Sequence, residues 1–213
     1  MRRLVDIVVA GVAALVLAPL ALLVAALIRW QLGSPVLFRQ RRTGLRGREF
    51  TIFKFRTMRP ARNEAETDLD RDTPVGRRLR AASMDELPQL ANVLLGDMSL
   101  VGPRPTLPEQ VKHYDARQRG RLSIRPGITG WAQVHGRNSI SWPERIELDL
   151  WYIAHRSLWI DLKVLWLTAL NIVRPRGITG PGGVNEGFPL ADGGSTSTHA
   201  AAPTLSTDRS VRP

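Results

Sequence analysis

Residues 7–28 read IVVAGVAALVLAPLALLVAALI without one charged side chain, and a water-soluble domain has nowhere to put so long an apolar run. As helix the run is roughly 33 Å long, the hydrocarbon thickness of a bilayer. A cleaved signal peptide has a shorter apolar stretch and a small-residue cleavage site, and none follows here before Arg29. A straight span has one end richer in basic residues than the other. Here Arg2 and Arg3 precede the run while Arg29, Arg39, Arg41 and Arg42 follow it, so both ends favour the anionic cytoplasmic side. Pro19 lies past the middle, where it removes a backbone hydrogen bond and can bend the helix. A kinked, re-entrant hairpin satisfies both facts, and a straight span is the open alternative.

The chain has 213 residues, enough for one compact domain with appendages. It lacks cysteine, which excludes a disulfide framework, thiolate metal sites and a Cys nucleophile. Chemistry therefore falls to carboxylates, hydroxyls, His or a bound metal. The 30 basic residues, nearly all Arg, against 19 acidic ones give a net charge of +11. Such a balance attracts nucleic acid, anionic lipid and phosphorylated small molecules alike, and the apolar run favours the membrane surface.

Gly33, Ser34 and Pro35 mark the exit from the run, and Val36, Leu37 and Phe38 read as a short strand. A basic loop over 41–47 leads to a second strand over 49–58, where Phe50, Ile52, Lys54 and Arg56 alternate with Thr51, Phe53, Phe55 and Thr57. Lys54 and Arg56 thus share a face that either holds phosphate oxygens or forms a solvated edge resisting aggregation. The acid-rich stretch 62–74 lacks an apolar period and reads as loop or exposed helix, followed by a short basic helix over 75–82.

In Ser83-Met84-Asp85-Glu86-Leu87-Pro88 the proline suits the first position of a helix that buries Leu90, Val93 and Leu94 and ends at Gly96. Asp85 and Glu86 then stand at a helix N-terminus. Ser83 and Glu86 have capping-box spacing, so capping alone would explain the acids. The same position keeps a carboxylate ionised, which suits a nucleophile or a Mg²⁺ ligand, and its free N–H groups favour phosphate. Adjacent helical residues point in different directions, so two acting carboxylates would hold different jobs.

Arg104 is held between Pro103 and Pro105, which lowers the entropy lost when a guanidinium grips a phosphate; a surface Arg in a Pro-rich loop is the alternative. The loop 126–138 is punctuated by Gly127, Gly130 and Gly136, which permit close approach of a ligand, and offers Gln133, Arg137 and Asn138 to a base or diphosphate. His135 is a base, a ligand or an ordinary surface or core residue. Residues 143–173 are helical in pattern, with Trp151, Trp159 and Trp166 eight and seven apart on one face of a continuous helix. Trp favours the bilayer interface while Asp161 and Lys163 break a clean span, so one or two amphipathic interfacial helices are expected, with a core helix as alternative. From Gly180 onward the composition is that of a disordered tail.

Three segments, Phe53-Lys54-Phe55-Arg56-Thr57-Met58, DELPQLANVLLGDMSLVGPRP over 85–105, and Pro126 through Asn138, closely resemble the bacterial sugar transferase family. These are the monotopic polyprenyl-phosphate phosphoglycosyl transferases, and the resemblance runs in unbroken order over residues 1–178. It implies the minimal form of an α+β fold, with a re-entrant anchor over 1–34 bent at Pro19 and a cytosolic catalytic domain with interfacial helices over 35–179; the tail over 180–213 is read from composition alone and matches nothing in the family. It also implies a Mg²⁺-dependent dyad at Asp85 and Glu86, which would hold the metal. In enzymes like this the Asp attacks the β-phosphate of a UDP-sugar and expels UMP. Polyprenyl (undecaprenyl) phosphate then takes the sugar-phosphate from the aspartyl intermediate, which starts exopolysaccharide, capsule, O-antigen or glycoprotein glycan assembly.

By the same resemblance Arg104 meets phosphate charge in the transition state, Lys54, Arg56 and Arg137 contact phosphate or nucleotide, and Gln133 and Asn138 support them. The partners implied are a UDP-sugar, polyprenyl phosphate, membrane lipids and downstream glycosyltransferases, with no nucleic acid. The place implied is the cytoplasmic face of a bacterial cell membrane. Ala18 departs from the Ser common in relatives, and His135 from Asn. Two other classes compete: a membrane-tethered binder of nucleic acid or anionic lipid, which predicts a basic stripe without a buried acidic pair, and an inactive scaffold, against which intact Asp85, Glu86 and Arg104 argue.

Overall fold

The apolar run forms the longest element. In the computed structural model, which describes residues 2–63, 66–136, 140–173, 188–189 and 195–196, helix α1 covers Arg2–Gln31 as a single helical element with Pro19 inside it. Only 11% of its most apolar 18-residue window is buried, so it is not a core helix. Contacts with the rest of the chain gather at its two ends. Near the start, the Arg3 guanidinium donates to the carbonyls of Leu94 and Met98, and Asp6 accepts from the Ser99 hydroxyl and the Leu100 N–H. Ala10 is fully buried against Ile52, Val93 and Met98. Near the finish, Val24 and Ile28 pack with Phe55 and Leu79, and Arg56 donates to the carbonyls of Leu32 and Gly33. Between these ends Val12, Leu15, Val16, Leu22 and Leu23 are exposed.

The two strands expected after the apolar run pair with each other. Strand β1 (Leu37–Thr43) pairs antiparallel with β2 (Glu49–Phe55), around a 3₁₀ turn over Leu45–Gly47. β1 runs five residues further than its apolar start suggests, to Thr43. Its extension is charged: Arg41 pairs with Glu49 on the outer face, and Arg42 turns inward. Inward charge broke the alternation that marks a strand in sequence. Beyond β2, α2 (Asp68–Arg71) is a single capped turn in the acid-rich stretch. α3 (Pro74–Ala81) follows, its N-terminal N–H of Gly76 received by the Thr73 hydroxyl. Gly76 has no substitute there, since a Cβ would lie 1.8 Å from the Thr57 carbonyl oxygen.

Helix α4 (Gln89–Leu95) ends at Gly96, φ +99°. It lies on β2 through Asn92, which is fully buried, donates to the Thr51 carbonyl and accepts from the Phe53 N–H. Strand β3 (Ser99–Val101) then pairs in parallel with β4 (Gly127–Thr129), with α5 (Pro108–Lys112) and a 3₁₀ segment over Gln118–Ser123 between them. The glycines expected to admit a ligand pack the chain against itself. A Cβ on Gly127 or Gly130 would lie 2.1 or 2.2 Å from the backbone of Gly102.

Helices α6 (Trp131–His135), α7 (Trp142–His155) and α8 (Leu158–Val173) complete the mixed helix-and-sheet body. The tryptophans expected on one continuous helix divide between two. Trp151 on α7 stacks on Trp131 at 4.7 Å, whereas Trp159 and Trp166 on α8 are exposed. The tail expected from Gly180 lies outside the described residues except for β5 (Phe188–Pro189) and β6 (Ser195–Thr196), which pair antiparallel.

Candidate active site

Asp85 and Glu86 occupy a 3₁₀ turn, Met84–Glu86, just before α4. The capping box suggested by the sequence is not made: Ser83 sits in the left-handed region at φ 55° and its side chain caps nothing. The acids are therefore held by cations, not by backbone N–H groups. Lys54 reaches them from the inner face of β2, with Nζ 2.7 Å from Glu86 Oε1 and 3.9 Å from Asp85 Oδ2. Arg104 closes the group from the Pro103–Pro105 loop, donating to the same Glu86 oxygen at 3.1 Å.

This geometry separates the two carboxyls. For Glu86, burial acts to raise the pKa, but Lys54 and Arg104 outweigh it and hold the group at about 2. Asp85 is buried and accepts no hydrogen bond from any described residue. Burial raises its pKa against the pull of Lys54, and the Glu86 charge raises it further. One carboxylate is thus locked as an anion between two cations while its neighbour keeps uncommitted, more basic oxygens.

The loop bearing Arg104 is fastened carbonyl by carbonyl. Pro103 accepts from the Gly127 N–H, Arg104 from Arg121, Pro105 from Arg42 and Thr106 from the Thr43 N–H. Arg121 is itself buried. It pairs with Asp149 of α7 at 2.7 Å, both side chains 2% exposed, and donates to the Tyr114 hydroxyl. Such a pair is weak evidence for stability but fixes position, because removing either partner strands a charge.

Asp85, Glu86, Lys54 and Arg104 are brought together. Arg56, two residues beyond Lys54, spends one guanidinium nitrogen on the end of α1. Gln133 donates to the Ile128 carbonyl and leaves its Oε1 buried without a partner. Arg137 and Asn138 lie outside the described residues. Pro19 is exposed in the middle of α1. Among the described residues no cluster of three or more metal-binding side chains exists. Two carboxylates nevertheless suit Mg²⁺, which commonly takes one or two and completes its shell with water and substrate phosphate. Sequence reasoning missed Asp6, Arg42, Asn92, Arg121 and Asp149. Arg42 was visible as a basic residue flanking the apolar run and as part of a basic loop, and the 28-residue spacing of Arg121 and Asp149 carries no periodic signal.

Two adjacent carboxylates, Asp85 buried and Glu86 half-buried, thus stand with Lys54 and Arg104 in one group of opposed charges, an arrangement suited to an anionic substrate. The model of the bacterial sugar transferase family matches residues 1–175, and the chain belongs to that family. It is 45% identical over 181 residues to the uncharacterized sugar transferase EpsL of Bacillus subtilis, covering 84% of this chain and 90% of that protein. It is 46% identical over 185 residues to a UDP-glucose:undecaprenyl-phosphate glucose-1-phosphate transferase of Caulobacter vibrioides, covering 81% and 69%. It is 36% identical over 196 residues to the exopolysaccharide production protein ExoY of Rhizobium meliloti, covering 83% and 87%.

Proposed function

We propose that this protein transfers a sugar 1-phosphate from a UDP-sugar to polyprenyl phosphate, using Asp85 as nucleophile. The observation that carries the proposal is Asp85 itself, a buried carboxylate with uncommitted oxygens beside an acid that is already satisfied. An Asp85 oxygen attacks the β-phosphorus, the bond to the bridging oxygen breaks, and UMP leaves with that electron pair. A phosphate oxygen of the lipid then attacks the same phosphorus, breaks the aspartyl–phosphorus bond and restores the carboxylate. Two in-line displacements let both substrates use one phosphate site in turn.

Lys54 and Arg104 neutralise the phosphoryl oxygens, and Glu86 fixes both cations in place. Asp85 and Glu86 are the residues that would hold Mg²⁺, which would supply further charge neutralisation at the diphosphate. The acidic pair set among the cations, with Asp85 buried, favours this reading over a basic stripe for nucleic acid.

The membrane arrangement belongs to the same proposal. Both ends of α1 rest on one body while its middle is exposed, which supports an apolar helix that enters and leaves by the cytoplasmic face. Exposed Trp30, Trp159 and Trp166 suit the interface, where α8 would lie. The product would pass to downstream glycosyltransferases. The test is UMP release by the full chain in nanodiscs with UDP-sugars, polyprenyl phosphate and Mg²⁺. Release in the native protein and none in Asp85→Asn is expected; undiminished release in that variant removes Asp85 as nucleophile.

A further inference from the structure

The inner face of the β1–β2 hairpin holds more hydrogen-bond donors than it uses. The register sets Lys54 opposite Phe38, Ile52 opposite Gln40 and Phe50 opposite Arg42, so Lys54, Gln40 and Arg42 project from one face in diagonal succession. Lys54 is committed to the dyad. Gln40 is only 8% exposed, and its Nε2 has no partner. Arg42 gives one terminal nitrogen to the Pro105 carbonyl at 3.4 Å and the other to Gln40 Oε1 at 2.6 Å. Its Nε is buried and unpaired. Among the described residues no carboxylate forms an ion pair with it.

Burial, then the neighbouring Arg104, pulls the Arg42 guanidinium down to about 9, with Glu86 and Glu109 acting in the opposite direction. A crowded cation with a spare N–H, beside a spare amide N–H, is a cradle that wants an anion. It stands next to the dyad without touching it.

We propose that Arg42 and the Gln40 Nε2 bind the α-phosphate of the nucleotide, the group that departs as UMP, while Lys54 and Arg104 attend the β-phosphate at Asp85. The assignment rests on the reading of Asp85 as nucleophile. When the bond between the β-phosphorus and the bridging oxygen breaks, the electron pair goes to the departing UMP. A fixed guanidinium there stabilises that charge without giving up a proton.

The experiment measures binding of UMP, with uridine as control, to the full chain in nanodiscs. Gln40→Glu is the decisive variant, because a carboxylate beside Arg42 satisfies that cation and spares the fold while repelling phosphate. Thermal stability is expected to hold or rise, and UMP binding to weaken roughly 10- to 100-fold with uridine unchanged. Arg42→Gln should weaken UMP binding similarly. UMP affinity unchanged in Gln40→Glu, or an equal loss for UMP and uridine, overturns the assignment. Asp85→Asn separates the two claims: UMP release in that variant defeats the nucleophile, whereas normal UMP affinity in Gln40→Glu defeats only the α-phosphate cradle.

Discussion

Replacing Glu86 by glutamine keeps the shape of the side chain and removes the one charge that two cations share. Lys54 Nζ and Arg104 lie 2.7 and 3.1 Å from the same carboxylate oxygen. Burial works to raise the Glu86 pKa, yet these cations hold it at about 2, against an ordinary 4.5. The distance between those two values corresponds to on the order of 3 kcal/mol of folding stability at neutral pH. The sign follows from the depressed value: the contribution is full above pH 4.5 and is lost as the pH falls toward 2. For a chain of this size the loss in Glu86→Gln translates to a Tm lower by about 6–12 °C.

Intrinsic Trp fluorescence during heating in nanodiscs reads it. The gap between native protein and variant should be widest near neutral pH and shrink on acidification. Asp85→Asn supplies the opposite sign, because a carboxyl whose pKa is raised is destabilising while ionised. Its Tm should hold or rise. A neutral Glu86→Gln together with a destabilised Asp85→Asn would refute the division of roles between the two acids.

Three further outcomes follow from the same geometry. With its pKa raised by burial, the Asp85 carboxyl of the Mg²⁺-free protein should titrate above the ordinary value of 3.8 when followed by NMR; a midpoint at or below that value contradicts the assignment. Arg121→Met strands Asp149 and should cost about 3–5 kcal/mol in unfolding experiments. Adding Asp149→Leu should restore most of that stability but not kcat, since the Arg104 carbonyl has lost its donor; parallel recovery of kcat would make Arg121 purely structural. Because the native chain has no cysteine, Leu4→Cys and Trp30→Cys give clean labelling sites, both exposed. An impermeant thiol reagent should reach both from the cytoplasmic side alone, and labelling of either from outside contradicts the re-entrant helix.

The sequence exposes features that repeat or punctuate. The charge-free run of α1, the alternation in β2, the short basic helix α3 and Gly96 at the end of α4 all act locally, and the structure has each of them. Features made by tertiary contact were hidden or misread. Ser83 and Glu86 have capping spacing, but the backbone at Ser83 is left-handed and Glu86 is drawn to Lys54 and Arg104. Gly127 and Gly130 signalled close approach correctly and its object wrongly, because the neighbour is Gly102 of a parallel connection. Arg42 looked like one more solvated arginine until the register turned it inward. Asn92 sat silently in an apolar helix, although it joins α4 to β2 with two hydrogen bonds to backbone. The dyad and Arg104 were legible because short, rigid motifs display them; Lys54 lies 32 residues from Glu86, Arg121 lies 17 from Arg104 and Arg42 lies 63 from Pro105, spacings that carry no periodic signal.

The proposed transfer stands on a phosphorus–oxygen bond that forms transiently at Asp85. Acid-quenched protein, mixed with a UDP-sugar in the absence of lipid acceptor and then digested, tests it by peptide mass. A sugar-phosphate adduct is expected on the peptide that contains Asp85, absent from Asp85→Asn and discharged by adding polyprenyl phosphate. UMP formed without any such adduct, or an adduct placed on another side chain, would contradict it.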